Sequence, residues 1–331
     1  MPSIKEERLG VDIIGFGPIG RKLAELLVKD SELRRSFFVS SISDRTSRVL
    51  PAKGRDVVRA IEWKESKKPL IELEKFEKRE ETESSIVVDV TNSDYPKALE
   101  ARSRAFQAMD SGKHFVSANK VAFANYFRQL FERAKRRNVE VGYGATIAGG
   151  RYAISILKSI DSDEVQSVSA LLNTSTTLIL SNLEDDPSMT LDQACKKAAE
   201  AGILESDWSI DLDGVDAAAK TAILSNVLFP RARMSIDEVK RNGIRGAKAE
   251  KMIEANRGSR KTRLVAEIDR NNASVSPTIV DYDSPLAVSG RYNVVLMKTK
   301  TLGEISTRNL GGGVELTASV IISDLKSIAK H

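Results

Sequence analysis

The sequence predicts an α/β protein of two domains, a doubly wound parallel sheet followed by an α+β unit. Three observations carry that expectation. Short apolar runs alternate with helical patterns over the first 145 residues, a glycine-rich turn joins the first run to the first helix, and a second glycine-rich segment at 144–150 divides the chain. Alternation of this kind builds parallel strands joined by crossover helices. A chain of 331 residues is long enough for two cores.

The first predicted strand, Val11-Asp12-Ile13-Ile14, runs into Gly15-Phe16-Gly17-Pro18-Ile19-Gly20 and then a helix over 21–29 with Leu23, Leu26 and Leu27 on one face. This is the strand–turn–helix setting that a Gly-x-Gly-x-x-Gly fingerprint requires. Gly15 permits the tight turn, Gly17 lets the backbone approach a pyrophosphate, and Gly20 allows close helix–strand packing, which defines a Rossmann dinucleotide-binding domain. The phosphates would meet free amides at the helix N-terminus. A glycine turn without a ligand is the plainer alternative, and the flanking strand and helix count against it.

Phe37 to Ser43 reads as the second strand, ending at Asp44-Arg45-Thr46-Ser47-Arg48. A carboxylate here usually binds the adenosine ribose of NAD, whereas arginine accommodates the 2′-phosphate of NADP. Both are present, and two arginines outweigh one carboxylate, which favours NADP over NAD. Further strands are expected at 85–90, 114–117 and 139–143, the first two opening on Thr91-Asn92-Ser93 and Ala118-Asn119-Lys120. Carboxyl ends of parallel strands are where such sheets bind ligands. Lys120 as an ordinary surface lysine is the commoner fate of its residue type.

In the second half, an alternating stretch over 165–179 predicts a strand, helices follow at 191–201 and 215–229, and strands at 263–269, 274–279 and 293–297 complete one open sheet. The loop Asn309-Leu310-Gly311-Gly312-Gly313 precedes a last helix.

Composition narrows the chemistry. No apolar run approaches ~18 residues and the first eight lack an apolar core, so a cytoplasmic protein without membrane spans is expected. Net charge is +5, with basic residues from Arg231 to Arg263. Interspersed acids and the absence of aromatics favour a solvated helical face over a nucleic-acid partner. Cys195 is the sole cysteine and His114 and His331 the only histidines, which excludes a disulfide framework and a cysteine-ligated zinc site. Lysine and carboxylate remain as acid–base groups. They gather in Asp211-Leu212-Asp213-Gly214-Val215-Asp216-Ala217-Ala218-Ala219-Lys220, six residues beyond Glu205. Asp216 and Lys220 stand four apart and share a helix face. Carboxylates beside an ammonium suit a zwitterion such as an amino acid. A surface acidic loop with a pair worth ~0.3 kcal/mol is the alternative.

Glu205, Asp207, Asp211, Leu212, Gly214, Asp216 and Lys220 match the spacing of the substrate-binding segment of homoserine dehydrogenases, with Trp208 where proline is usual. Asp89-Val90-Thr91-Asn92-Ser93 and Ser117-Ala118-Asn119-Lys120 resemble two further loops of that family. The segment 144–150 resembles a third, beside which some members hold a monovalent cation. Gly144 replaces the usual glutamate there and Tyr152 the usual proline, and no metal is predicted.

The resemblance, to a short form without a C-terminal regulatory domain, implies a Rossmann domain over 1–145 completed by the C-terminal helix 310–331. A substrate and dimerisation domain would occupy 146–309. It implies a homodimer that interconverts L-homoserine and L-aspartate 4-semialdehyde with NADP or NAD. Lys220 would be the base with Lys120 beside it and Asp216 orienting either Lys220 or the substrate hydroxyl, while Glu205, Asp211 and the Gly202 carbonyl hold the substrate. Gly15, Phe16, Gly17, Pro18, Ile19, Gly20, Asp44, Arg45, Thr91, Asn92, Lys120 and Gly313 would line the cofactor. Two rivals stand beside this reading. One is an aspartate semialdehyde dehydrogenase, whose thiolate would have to come from Cys195. The other is a nucleotide-binding homologue without turnover, motivated by Gly144, Tyr152 and Thr177.

Overall fold

The computed structural model describes residues 8–51, 53–73, 84–147, 154–157, 159–204, 207–231, 233–246, 253 and 260–330. Glu205, Gly149, Gly150 and Tyr152 lie outside the described residues. The chain divides into two compact units. One comprises Met1–Ala122, Arg128–Ala145 and Val314–His331; the other comprises Phe123–Phe127 and Thr146–Gly313.

The first unit is built on β1 (Leu9–Ile14), β2 (Phe37–Ser43), β3 (Arg48–Val49), β4 (Ile86–Asp89), β5 (His114–Ser117) and β6 (Val141–Gly142), in the order β3-β2-β1-β4-β5-β6. All pairings are parallel except that of the two-residue β3, which folds back antiparallel on β2. The central strands are buried, as expected of a sheet covered on both faces. The helix Pro18–Lys29 turns Leu23, Ala24 and Leu27 into that core. The helix Val314–Ile328 contributes Ile321, Leu325 and Ile328 to the same core. Burying each of these is worth about 1.5–3 kcal/mol. Asp324 of that helix, 4% exposed, accepts the Gly144 N–H at 2.8 Å. A Cβ on Gly142 would come within 2.7 Å of the Asp324 Cβ, so only glycine lets helix and strand approach this closely.

The second unit holds β7 (Val165–Leu171), β8 (Lys240–Arg241), β9 (Lys261–Ile268), β10 (Ala273–Val280), β11 (Tyr292–Thr299) and β12 (Glu304–Leu310), in the order β12-β11-β7-β9-β10-β8. Its pairings are antiparallel except β8 with β10. The helix Val215–Leu228, rich in alanine and buried around nearly all of its circumference, packs on β9 and β10.

Three expectations require correction here. The strand expected over 165–179 ends at Leu171, and Thr174–Asp185 is a helix. Asn173 caps it, its side chain accepting the Thr176 N–H at 2.8 Å, and this capping outweighs the strand preference of the threonines. Asn309 and Leu310 belong to β12, paired with β11, rather than to a loop. Arg263 is no part of a solvated helical face: it lies on β9, is 0% exposed, and pairs with both oxygens of Glu184 at 2.6 and 3.0 Å. Its Nε and Nη1 also reach the carbonyls of Val288 (2.7 Å) and Thr262 (2.6 Å), so the buried charge is both paired and hydrogen-bonded.

Candidate active site

In the first unit the fingerprint glycines have three different reasons to be glycine. Gly15 has φ +100°, and a Cβ there would lie 2.8 Å from Val90 and Thr91 backbone atoms. A Cβ on Gly20 would overlap the Gly15 carbonyl oxygen. Gly17 meets nothing within 4 Å of its Cβ position; it is exposed and caps the helix Pro18–Lys29 without any side-chain hydrogen bond. Pro18 follows with no N–H to satisfy. The open glycine face and uncapped helix N-terminus fit a pyrophosphate. Phe16 is buried in the core and Ile19 packs against it, so these two shape the turn.

The β2 end resolves the competing charges. Asp44 is committed to its own loop: one carboxylate oxygen accepts from the Thr46 N–H (2.8 Å), the Thr46 hydroxyl (2.6 Å) and the Ser47 N–H (3.2 Å). The other accepts from Lys64 at 2.9 Å and the Leu70 N–H at 3.4 Å. Burial pushes this carboxyl up, but the hydrogen bonds from Thr46, Lys64 and Leu70 prevail and hold it well below the usual carboxylate range. Arg48 is committed as well, to Asp12 (3.0 Å) and Ser41 (3.0 Å). The exposed Arg45 side chain has no hydrogen-bond or ion-pair partner among the described residues.

The loops after β4 and β5 are joined by one polar network. Asp89, 1% exposed, accepts from the Thr91 N–H (3.0 Å), the Thr91 hydroxyl (2.6 Å) and Arg104 Nε (2.9 Å). The Thr91 oxygen accepts in turn from Arg104 Nη2 (3.0 Å) and Asn119 Nδ2 (2.9 Å). Asn119 also donates to the Asn92 carbonyl at 3.0 Å, and its side-chain oxygen caps the helix Lys120–Arg137 through the Val121 N–H. Lys120 opens that helix, its N–H donating to Ser93 Oγ at 3.2 Å.

In the second unit Asp211, Asp216 and Lys220 converge. Lys220 Nζ lies 2.8 Å from Asp216 Oδ2 and donates to the Leu172 carbonyl at 2.8 Å. Asn173 Nδ2 donates to Asp216 at 2.9 Å and also to Asp211. Gly214, at φ +74°, begins the helix that carries Asp216 and Lys220. Gly202, at φ +69°, follows the helix Leu191–Glu200, its N–H on the Ala199 carbonyl at 2.9 Å. Gly313 has φ +109° and follows Gly311 and Gly312, whose carbonyls accept from Arg291 at 3.4 Å each.

Asn173 is therefore the organising residue that spacing alone left without a role. Its one signal is its residue type: an asparagine directly before Thr174 can cap a helix. Arg104 gave no signal, being one arginine within an ordinary helix. Cys195 is fully buried, and burial foremost, with Asp192 and Asp211 adding to it against Arg245, pushes its thiol up to about 11. It does not supply a thiolate near neutral pH.

A parallel sheet with an open glycine turn, and a lysine–carboxylate cluster without a nucleophilic thiolate, define an NAD(P)-dependent dehydrogenase. The family model for homoserine dehydrogenase matches residues 153–325, and that for the homoserine dehydrogenase NAD-binding domain matches residues 15–143. The chain belongs to the homoserine dehydrogenase family. It is 32% identical to the homoserine dehydrogenase of Pyrococcus horikoshii over 328 residues, 96% of each chain. It is 31% identical to that of Methanocaldococcus jannaschii over 329 residues, 96% of this chain and 97% of the relative. Among solved structures, a hyperthermophilic archaeal homoserine dehydrogenase in complex with NADPH superposes with a TM-score of 0.81 at 30% identity, covering 98% of each chain.

Proposed function

We propose that the protein catalyses the reversible NAD(P)-dependent oxidation of L-homoserine to L-aspartate 4-semialdehyde. The observation that carries this reading is the convergence of Lys220, Asp216, Asn173 and Asp211. The bound nicotinamide supplies the acceptor for the hydride that leaves the carbinol carbon. Lys220 takes the hydroxyl proton as the carbonyl forms, and returns it in the reducing direction, the ordinary work of a positioned acid–base group. Asp216 and the Leu172 carbonyl aim its Nζ. Asp211, with Glu205 and the Gly202 carbonyl, holds the substrate ammonium through charge-assisted hydrogen bonds.

On the cofactor side, the turn from Gly15 to Gly20 holds the pyrophosphate on its backbone amides. Thr91, Asn92, Lys120 and Gly313 complete the cofactor contacts. Thr91 acts through its backbone, since its hydroxyl is already engaged three ways. Arg45, with no other partner among the described residues, reads the 2′-phosphate of NADP, which makes NADP the favoured cofactor over NAD. The hyperthermophilic relative solved with NADPH supports that preference. A homodimer working in the cytoplasm completes the reading, and no helix among the described residues is long and apolar enough to cross a membrane.

The test is steady-state turnover of purified protein with homoserine and each nicotinamide cofactor, followed by the absorbance of the reduced form. Homoserine-dependent reduction of NADP at a higher kcat/KM than NAD is expected. Tight NADPH binding with no homoserine-dependent signal would leave a nucleotide-binding homologue without turnover.

A further inference from the structure

Among the described residues Arg104 is the one cation paired with the Asp89–Thr91 network, yet it belongs to no cofactor or substrate motif. Its helix, Ala98–Asp110, otherwise buries Ala101, Ala105, Ala108 and Met109. The guanidinium forks across two residues of one loop, with Nε on Asp89 (2.9 Å) and Nη2 on Thr91 (3.0 Å). Asp89 is 1% exposed, so its charge requires a cation there.

Thr91 is the junction. A hydroxyl has one donor and two acceptor sites, and all three are engaged: it donates to Asp89 and accepts from Arg104 and Asn119. With both acceptor sites filled by N–H groups, the proton must point to Asp89, so the orientation of the whole set is unique. Asn119, held by Thr91 and by the Asn92 carbonyl, caps the helix whose first residue is Lys120. On the other side, backbone atoms of Val90 and Thr91 are the surface against which Gly15 closes, within 2.8 Å of its Cβ position. One guanidinium thus governs the shape of three cofactor-side segments: the fingerprint turn, the loop after β4 and the start of the Lys120 helix.

We propose that Arg104 is a positioning residue for the dehydrogenase reaction, acting through Asp89, Thr91 and Asn119 on the cofactor-side loops. This rests on the dehydrogenase reading of the same site. A polar network with every member satisfied specifies one geometry, and removal of a central member releases the rest. Misplacement of reacting groups by about 1 Å costs up to ~10²-fold in rate.

The experiment compares Arg104→Gln, Arg104→Lys, Thr91→Val and the double variant Arg104→Gln/Thr91→Val. NADPH affinity is measured by nicotinamide fluorescence, with kcat, KM for homoserine and Tm alongside. Arg104→Gln should weaken NADPH binding and lower kcat by roughly tenfold or more, with homoserine KM moving less than either. Arg104→Lys, which keeps one bond to Asp89 and loses the fork, should fall between it and wild type. Because both residues act through one junction, the double variant should lose little more than the worse single one. A fall in Tm with NADPH affinity and kcat within about twofold of wild type would mean a purely structural role and overturn the proposal; so would full additivity of the pair. If Arg104→Gln does not fold, Thr91→Val and Arg104→Lys carry the same test. Absence of turnover in wild type would strike the dehydrogenase reading, while NADPH affinities of the variants would still decide the role of Arg104.

Discussion

Lys220→Met separates chemistry from stability. The side chains of Lys220 and Asp216 are 17% and 13% exposed and lie 2.8 Å apart, so methionine removes an ammonium from a mostly buried carboxylate. Breaking a fully buried pair costs about 3–5 kcal/mol. Residual solvent contact and the retained Asn173 hydrogen bond bring the figure here to about 2 kcal/mol. For a unit of this size that lowers Tm by roughly 4–8 °C. The helix itself tolerates methionine about as well as lysine. Catalytically, loss of the acid–base group should lower kcat by about 10²-fold or more, near 2.7 kcal/mol in barrier at ~1.36 kcal/mol per decade. Adding Asp216→Asn removes the carboxylate charge that lost its ammonium, so the double variant should regain most of the Tm and none of the kcat. Steady-state kinetics, NADPH fluorescence titration and thermal unfolding on wild type and the two variants give all the needed values. If Lys220→Met keeps kcat within a factor of three while binding NADPH normally, the acid–base group is elsewhere and the mechanism fails.

Asp211→Asn should raise KM for homoserine more than KM for cofactor, since the charge removed is the one proposed to hold the substrate ammonium; equal effects on both would point to a folding defect. Arg45→Ala should weaken NADPH and leave NADH nearly unchanged in titrations, with the loss shrinking at high salt as screening grows; equal losses for both cofactors would show that Arg45 does not read the phosphate. Gly17→Ala meets open space and should keep wild-type Tm while losing cofactor affinity, whereas Gly20→Ala, whose methyl would overlap the Gly15 carbonyl, should lose both. Asp44→Asn bears on pH. The folded carboxyl titrates below the ordinary aspartate value of 3.8, so its stabilisation is present above that value and disappears as pH falls through the folded pKa. The Tm deficit of the variant should therefore be full at neutral pH and narrow only in strong acid; a deficit that is the same at pH 7 and in strong acid would remove the charge argument.

The parallel strands of the first unit were legible because each carries its own signal, an apolar run followed by a turn residue, whereas the two-residue β3 carries none. The Gly15–Gly20 turn was equally legible, since a local backbone requirement leaves a residue-type record. The capped helix at Thr174 was not, because Thr174, Thr176 and Thr177 carry β-branched side chains suited to a strand. The decisive term is the Asn173 cap, made together with bonds to two carboxylates some forty residues away. β12 was missed for a related reason: exposed and partly buried positions alternate along Glu304–Leu310, with no fully buried residue, so only its pairing with β11 defines it. Arg263 shows the limit from the other side, since nothing near it in sequence announces Glu184. Long-range partners such as Arg104–Asp89 and Arg263–Glu184 are written in the fold, and composition cannot distinguish them from surface charge.

The placement of Val314–Ile328 in the core of the first unit has a temporal consequence. A ribosome completes β1 to β6 early, but Ile321, Leu325 and Asp324 emerge only after the whole of the second unit has been made. Until then Gly142 and Gly144 present a vacant seat, and about three large apolar side chains' worth of burial is missing from that core. The nascent first unit is thus held short of its final stability while the second unit forms. Chain order makes the cofactor-binding unit the first begun and the last finished.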